Sequence, residues 1–588
     1  MRKFAYTLQL IVLLALIILL PTRYAIANPD TVSTGRHNPS SLIIRTITIQ
    51  IADVFDEPDI GSFYQTVNNL KISTREDIIR RELLFKEGDK LDTFLLQESE
   101  RVLRSLPFLH KVSITPIRDG KYIDIIVSVQ DTWTLIPQFS FSTGSGSDKM
   151  SAGIVETNVM GYGKRAELFY ADDEGRKKIE GVWDDQRLLG SYKRLLLGHF
   201  QRSDGYRFVG FFGQPFRNLI EKTSWGVNTD LYDIVGKLFV NGDERFIYRT
   251  RNRDVHGNFS HAFGDPEDVL HRGALGYRYL RTEFISADED DFDDVDVDPE
   301  SVSTDPSLLA QDREFSGPTL SYERIEPDFV ALNYIDRFER VEDFNLGNQF
   351  ILGLHLASHM MGSAADTAII SANESDGFRL SPLSFVRGDL GISSRLDNSG
   401  AENSIIRGEL KYYAVLGSQY AKGFFIGKHT LASSFAVDYS EDLDRDKEFL
   451  LGASEGLRGY ESRTFTGDKR VILNVEDRFH ITEDVFRLVS IGGVFFFDVG
   501  GSTTDSFGNL ISSDLYSDVG FGLRFGFPRS SGGSVLRIDF AIPLRNSPED
   551  DDKFEPRILI TTGQVFDANF QSENQRAANP QTSSIIGR

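Results

Sequence analysis

The 588-residue chain contains no cysteine, so disulfides and thiolate metal sites are excluded from the outset. It also lacks a basic surplus. Its formal charge of −23 and pI near 5.0 argue against nucleic acid as a partner, because phosphates demand a basic surface. Long apolar runs are missing too. The longest, from about Leu8 to Leu20, covers 13 residues, and nothing after it approaches the 18 or more that a membrane-spanning helix needs. From Trp133 onward, even helical periodicity is absent.

What is present points to export. Met1-Arg2-Lys3, the apolar run and Ala25-Ile26-Ala27 make a basic n-region, an h-region and an A-x-A site, which predicts a signal peptide over residues 1–27 cleaved before Asn28. Residues 28–40 read as a linker. An exported chain with no helical anchor, yet with 45 Phe and 20 Tyr, suits the outer membrane of a Gram-negative envelope. The mean hydropathy of −0.25 is compatible, since a barrel strand gives only every second residue to lipid.

The strongest pattern lies near the C-terminus. In residues 519–527 the odd positions are Val519, Phe521, Leu523, Phe525 and Phe527, and the even ones are Gly520, Gly522, Arg524 and Gly526. In residues 534–544 the even positions are Leu536, Ile538, Phe540, Ile542 and Leu544, against Arg537 and Asp539. A period of two means a β-strand. Strands of nine to eleven residues, repeated more often than one sandwich core could use, have the dimensions of a transmembrane barrel.

Further strands are predicted at 135–141, 165–170, 207–212, 226–232, 277–284, 315–323, 349–356, 408–414, 434–439, 471–479, 492–499 and 557–566. The fold class is therefore an all-β transmembrane barrel over 132–566, of about 16 antiparallel strands by the even-number rule. A small α+β domain precedes it at 41–131, with strands at 42–51, 111–117 and 122–130. Two helices are predicted there, at 74–85 (start signal Ser73 or Thr74) and at 93–106, the latter stopped by Pro107. Asp119-Gly120 is its hairpin turn. Residues 567–588 read as a polar, flexible tail.

Three features invite other chemistry. Asp294, Asp296, Asp298 and Asp305 fit part of a calcium-loop spacing within the acidic 287–305 stretch, but Pro299 stands where that loop needs Gly, so a solvated extracellular loop that attracts cations diffusely is the better reading. Gly452-Ala453-Ser454-Glu455-Gly456 matches G-x-S-x-G without the strand-turn-helix context of a nucleophile elbow. His355 and His359 are four apart in strand-like sequence, on one face, with no third ligand in view. The expectation is no enzyme, no metal and no cofactor.

Gly456-Leu457-Arg458-Gly459-Tyr460, then Gly467-Asp468, "VILNVEDRF" and "VFFFDVG", resemble the BamA-like family of outer-membrane assembly and translocation barrels (the bacterial surface antigen superfamily). Residues 41–131 resemble one of that family's POTRA modules, through "LLFKEGDKL", "ERVLRSLPFLHKVSI" and "IDIIVSVQDTW" in that order. "IVETNVMGYGKR" is similar to its early-barrel glycine pattern, and Gln564-Val565-Phe566 to its terminal aromatic signal. The resemblance implies that Leu457, Arg458, Gly459 and Tyr460 form the tip of a long loop folded back into the barrel, with Glu476 and Asp498 as partners of Arg458. Alternation agrees that both carboxylates face inward, where lining a water-filled pore is the ordinary role of such residues.

The resemblance further implies a weak seam between the first and last strands, with Gly563 and Phe566 in the last. It also implies a role in inserting, assembling or translocating proteins, with extended clients captured at the POTRA edge. Other expected partners are outer-membrane lipid and lipopolysaccharide, with a periplasmic or lipoprotein accessory left open. The alternatives are a two-partner-type secretion pore, which typically has two POTRAs and a plug helix for which residues 28–40 are too short, and a passive channel or structural envelope protein.

Overall fold

The computed structural model describes residues 42–56, 61–142, 149–173, 176–303, 305–531, 535–547 and 555–562. The expected signal peptide, linker and C-terminal tail, and the seam residues Gly563 and Phe566, lie outside the described residues.

The N-terminal module runs β1 (Ile43–Ala52), α1 (Ser62–Leu70), α2 (Glu76–Glu82), α3 (Thr93–Ser105), β2 (Leu109–Asp119) and β3 (Tyr122–Asp131). The sheet order is β1-β3-β2, with β1 parallel and β2 antiparallel to β3. Asp92 caps α3 by accepting from the Phe94 N–H at 2.9 Å. Ile79, Leu103, Ile125 and Val127 are sealed in the core between helices and sheet.

Two details differ from the sequence expectation. Helix α2 begins at Glu76, not at 74, because Thr74 is engaged elsewhere. Its N–H donates to Asp131 at 2.9 Å and its hydroxyl accepts from the Asn158 amide at 2.8 Å. Helix α1 was not expected at all. It has no capping side chain and buries no residue, so it leaves no sequence signal. Tertiary bonds hold it: Asn68 brackets the backbone of Phe55, and the Tyr64 hydroxyl donates to the Phe486 carbonyl at 2.8 Å.

The rest of the chain closes on itself as an antiparallel ring, from Leu135–Ser142 to Arg557–Thr562. Among the described residues the ring has twenty strands, against the approximate 16 expected from the sequence. The undercount arises where strands are short: the first six are only eight to ten residues long and joined by brief turns. Six strands went unpredicted, among them Asp243–Gly264 and Thr367–Ser381, whose outward faces carry polar residues that break the alternation. Elsewhere the pattern is legible in space. Phe495, Phe497, Phe521 and Leu523 point outward and are exposed, while Asp498, Asp518, Arg524 and Asp539 are buried inside.

The acidic stretch is not simply solvated. Phe292, Val295 and Val297 pack on Val235 and Ile247, a capping box of Asp288 and Asp291 starts a helix at Glu289–Asp294, and Asp291 pairs with Arg249 at 2.9 Å. Apolar residues interleaved with the aspartates give it this face. Among the described residues, no group of three His, Asp or Glu side chains could hold a metal ion. His355 is buried in the Gln349–Ala357 strand, whereas His359 sits in the turn beyond it and is exposed, so the two do not share a strand face.

The module caps one end of the ring, called proximal here. Glu82 pairs with Arg187, Arg75 stacks on Tyr162 at 4.5 Å, Glu98 accepts from the Leu219 N–H at 2.9 Å, and Arg529 donates to the Val54 carbonyl at 2.7 Å. His110 is buried in this junction. Burial, then Arg340, Lys111 and Arg529, push its imidazole down to about 4. A neutral imidazole is thus required. The junction keeps this contribution to stability above the ordinary His pKa and loses it as pH falls from about 6.5 toward 4, by on the order of 3 kcal/mol. Hydrogen-exchange protection around residues 106–112, corrected for intrinsic rates, is expected to fall over that window. His110→Gln is expected to flatten the dependence.

Candidate functional site

Two connections enter the ring from opposite ends: residues 442–468 from the distal end, and 326–348 from the proximal end. The distal one carries the Leu457–Tyr460 tetrad. Its entry is tight: Gly456 has φ 112°, in the left-handed region that favours glycine, and the Leu457 N–H donates to the Gly452 carbonyl at 2.8 Å. Leu457 and Tyr460 bury against Leu451, Phe465, Ile472 and Tyr516. The Tyr460 hydroxyl lies 2.9 Å from the carbonyls of both Ser517 and Arg545. At Gly459 a Cβ would come within 2.5 Å of Asp518 Cβ and 3.0 Å of Pro543 N. Only glycine lets the loop approach the wall this closely.

Arg458 reaches both predicted carboxylates. Its Nε and Nη2 donate to the two oxygens of Asp498 at 2.7 and 2.8 Å, and its Nη1 donates to Glu476 Oε1 at 2.7 Å. Glu476 lies on the Lys469–Val485 strand and Asp498 on Val489–Thr503, which are neighbours in the ring. The planar guanidinium serves one carboxylate with a fork and the next with its remaining edge, which a lysine could not do. Its face lies 3.5 Å from the Phe496 ring centroid.

The sequence expectation of a watery pocket is corrected here. Arg458, Glu476 and Asp498 each have 0 % exposure, because the two inserted connections shut out solvent. In such a place the charges must be fully answered. Asn474 helps, donating to Asp498 Oδ1 and to the Gly456 carbonyl, both at 2.7 Å. Arg478 donates to Glu476 Oε2 at 2.7 Å, and Arg524 to Asp539 at 2.5 Å.

Period-two alternation sets Asn474 and Arg478 on the same face as Glu476, and Arg524 and Asp539 opposite the apolar face of their strands, but it does not join them to the site. Joining them requires the register, which sets Asn474 opposite Asp498 and Gly522 opposite Asp539. Phe496 and Asp518 had no signal beyond alternation. Ser454 lies in a short 3-10 turn, Ala453–Glu455, leading into the tetrad.

The seam is the second candidate element. Among the described residues, the last strand meets the first only at Leu559 opposite Ser142 and Ile560 opposite Phe141, whereas its other ladder uses its whole length. Below this gap a different pairing takes over. The Trp133 N–H donates to the Arg529 carbonyl at 2.7 Å, the Ser531 N–H donates to the Trp133 carbonyl at 2.8 Å, and the Thr157 hydroxyl bonds that of Ser531 at 2.6 Å.

A closed antiparallel ring with an apolar outer face and a loop clasped inside defines an outer-membrane β-barrel. Residues 393–566, which include the tetrad and both its acidic partners, match the Omp85 superfamily domain. Among solved structures, it is similar to BamA from Haemophilus ducreyi lacking POTRA domains 1-3, at 14% identity over 88% of this chain and 84% of that one, with a TM-score of 0.39. It is also similar to CdiB from Acinetobacter baumannii (12% identity, 88% and 73% covered, TM-score 0.42) and to CdiB from Escherichia coli (11%, 88% and 76%, 0.43). No curated protein sequence matches it.

Removing the guanidinium leaves Asp498 buried with only the neutral Asn474 amide to answer it and Glu476 with Arg478 alone, at a cost of about 3–5 kcal/mol. Arg458→Ala is expected to make residues 443–467 protease-sensitive in folded barrels while strand content stays intact. Arg458→Lys should recover only part of the protection. A loop as resistant as that of the unaltered protein would show that the ion pairs do not hold it.

Proposed function

We propose that this chain assists insertion and assembly of other proteins at the outer membrane, with its N-terminal module acting as a single periplasmic POTRA and the proximal end of the barrel facing the periplasm. The observation that carries this reading is the seam. Among the described residues, a ring whose other joints are longer ladders closes through Leu559–Ser142 and Ile560–Phe141 alone. Unpaired backbone donors and acceptors beside that short joint are a template for a client strand, which gains main-chain hydrogen bonds by adding to the edge.

The module offers a second template. Strand β2 is an edge of its sheet, and Pro116 limits how far a client can pair along it, since proline lacks the N–H. A client captured there as an extended strand would be handed to the seam with its backbone already in β-conformation. The clasp supports this reading as an internal brace: a wall that opens at one joint must keep its shape elsewhere, and Arg458 ties the loop to the fourth and fifth strands from that joint.

The absence of native cysteine gives a clean background for trapping. Phe141→Cys with Ile560→Cys places thiols at directly opposed positions. The oxidised protein is expected to lose assembly activity and to regain it with reductant. Full activity while locked would overturn seam opening. Depletion followed by comparison of the outer-membrane proteome is expected to lower several barrel proteins together. Loss of one secreted protein would indicate a translocation pore, and no change would indicate a passive envelope barrel.

A further inference from the structure

The proximal connection, residues 326–348, was not anticipated from the sequence. It forms a small hairpin, Phe329–Leu332 paired with Glu342–Asn345, inserted into the ring. We propose that this hairpin is a plug that closes the lumen from the module side, and that it is latched at once to the module and, through Glu476, to the arginine loop.

The sealing rests on how far the hairpin reaches around the inner wall. On one flank Phe329 packs with Leu219, Ala262 and Leu270. On the other, Val330, Leu332, Ile335 and Leu346 bury against Phe385, Tyr413 and Ala432. At the tip, the Tyr334 carbonyl accepts from Thr430 at 2.9 Å, and Phe338 stands edge-on to His480 with centroids 4.5 Å apart. Phe338 also occupies the space that a Cβ at Gly526 would need. The hairpin thus reaches from the Asp243–Gly264 strand round to Tyr516–Gly526, an arc of eleven of the twenty strands.

Latching to the module uses two arginines. Arg104 of α3 grips Asp343 with Nε and Nη2 at 2.9 and 2.7 Å. Arg340 of the hairpin, itself buried, donates to the carbonyls of Arg104, Leu106 and Pro107 at 3.2, 2.9 and 3.3 Å, around the C-terminal end of α3. A cation at a helix C-terminus answers carbonyls that have no partner within the helix. Arg101 of the same helix lies 4.7 Å over the Phe329 ring. Movement of α3 away from the barrel would therefore pull on the hairpin.

Latching to the loop runs through one carboxylate. Glu476 accepts from Arg458 on Oε1 and from Arg478 on Oε2, both at 2.7 Å. Arg478 in turn donates to the Ile335 carbonyl at 2.6 Å and to Asp336 at 2.9 Å. The distal loop and the proximal hairpin are thus held by opposite oxygens of the same side chain. Neither can leave without uncovering a charge that the other still needs. This inference concerns closure of the lumen and stands whether or not the chain assembles clients.

Conductance of the full chain in planar bilayers tests it. The unaltered protein is expected to be closed for most of the recording. Replacing 329–345 by a short Gly-Ser linker should raise mean conductance about tenfold or more, as a water-filled lumen does. Arg340→Gln with Asp343→Ala, which cuts only the module latch, should raise the open fraction several-fold. Adding Phe338→Cys and His480→Cys to that variant should close it again when oxidised and release it with reductant. Folding is checked by heat-modifiable mobility on gels. Should the linker variant not fold, the latch variant and its disulfide decide the matter. An unaltered protein that already conducts like the linker variant, or a latch variant as closed as the parent, would overturn the plug.

Discussion

A guanidinium with no exposed surface must have its charge answered inside the protein, and much of this barrel's architecture is organised around that demand. Arg458 is answered by Asp498 and Glu476, and those carboxylates by Asn474 and Arg478. Each partner stands on a different position of two adjoining strands, so the network fixes the loop and the register of the wall behind it together. Low polarity around the cluster strengthens every one of these bonds and makes any missing one expensive. A distal loop that is long and mostly polar is thereby held in one place.

The number of strands sets the second requirement. Barrel diameter grows with strand count, and a ring of twenty is too wide for wall side chains alone to fill. The chain fills it with two inserted connections, one from each end, and their meeting at Glu476 makes the filling a single packed unit. The same width bears on the seam. A ring braced internally over most of its circumference can leave one joint short, because its shape does not depend on that joint. The Trp133 pairing with Arg529 and Ser531 keeps the gap from running through to the proximal rim.

Legibility in the sequence followed exposure to two different environments. Segments such as 519–527 and 492–499, with lipid on one face and protein on the other, announce their periodicity and their inward charges. The tetrad at Leu457–Tyr460 is readable because glycine and arginine are required by close approach and by forked pairing. Strands such as Asp243–Gly264 were missed because histidines, arginines and asparagines occupy both faces and blur the alternation. Helix α1 and the 329–345 hairpin were missed for another reason. Each is short and uncapped or loosely patterned, and is stable only because the barrel rim or the inner wall supplies its partners.

By itself, the sequence determined the class of fold, the inward faces of the C-terminal strands, and the residue types that could meet at Arg458, since period-two alternation and steric need are local properties. Tertiary structure decided that the described ring has twenty strands, that the cluster around Arg458 is fully buried, and that a hairpin from the proximal end shares Glu476 with the arginine loop. Those outcomes depend on register and on which distant segments meet. Such contacts are set by closure of the ring, and no stretch of chain carries them alone.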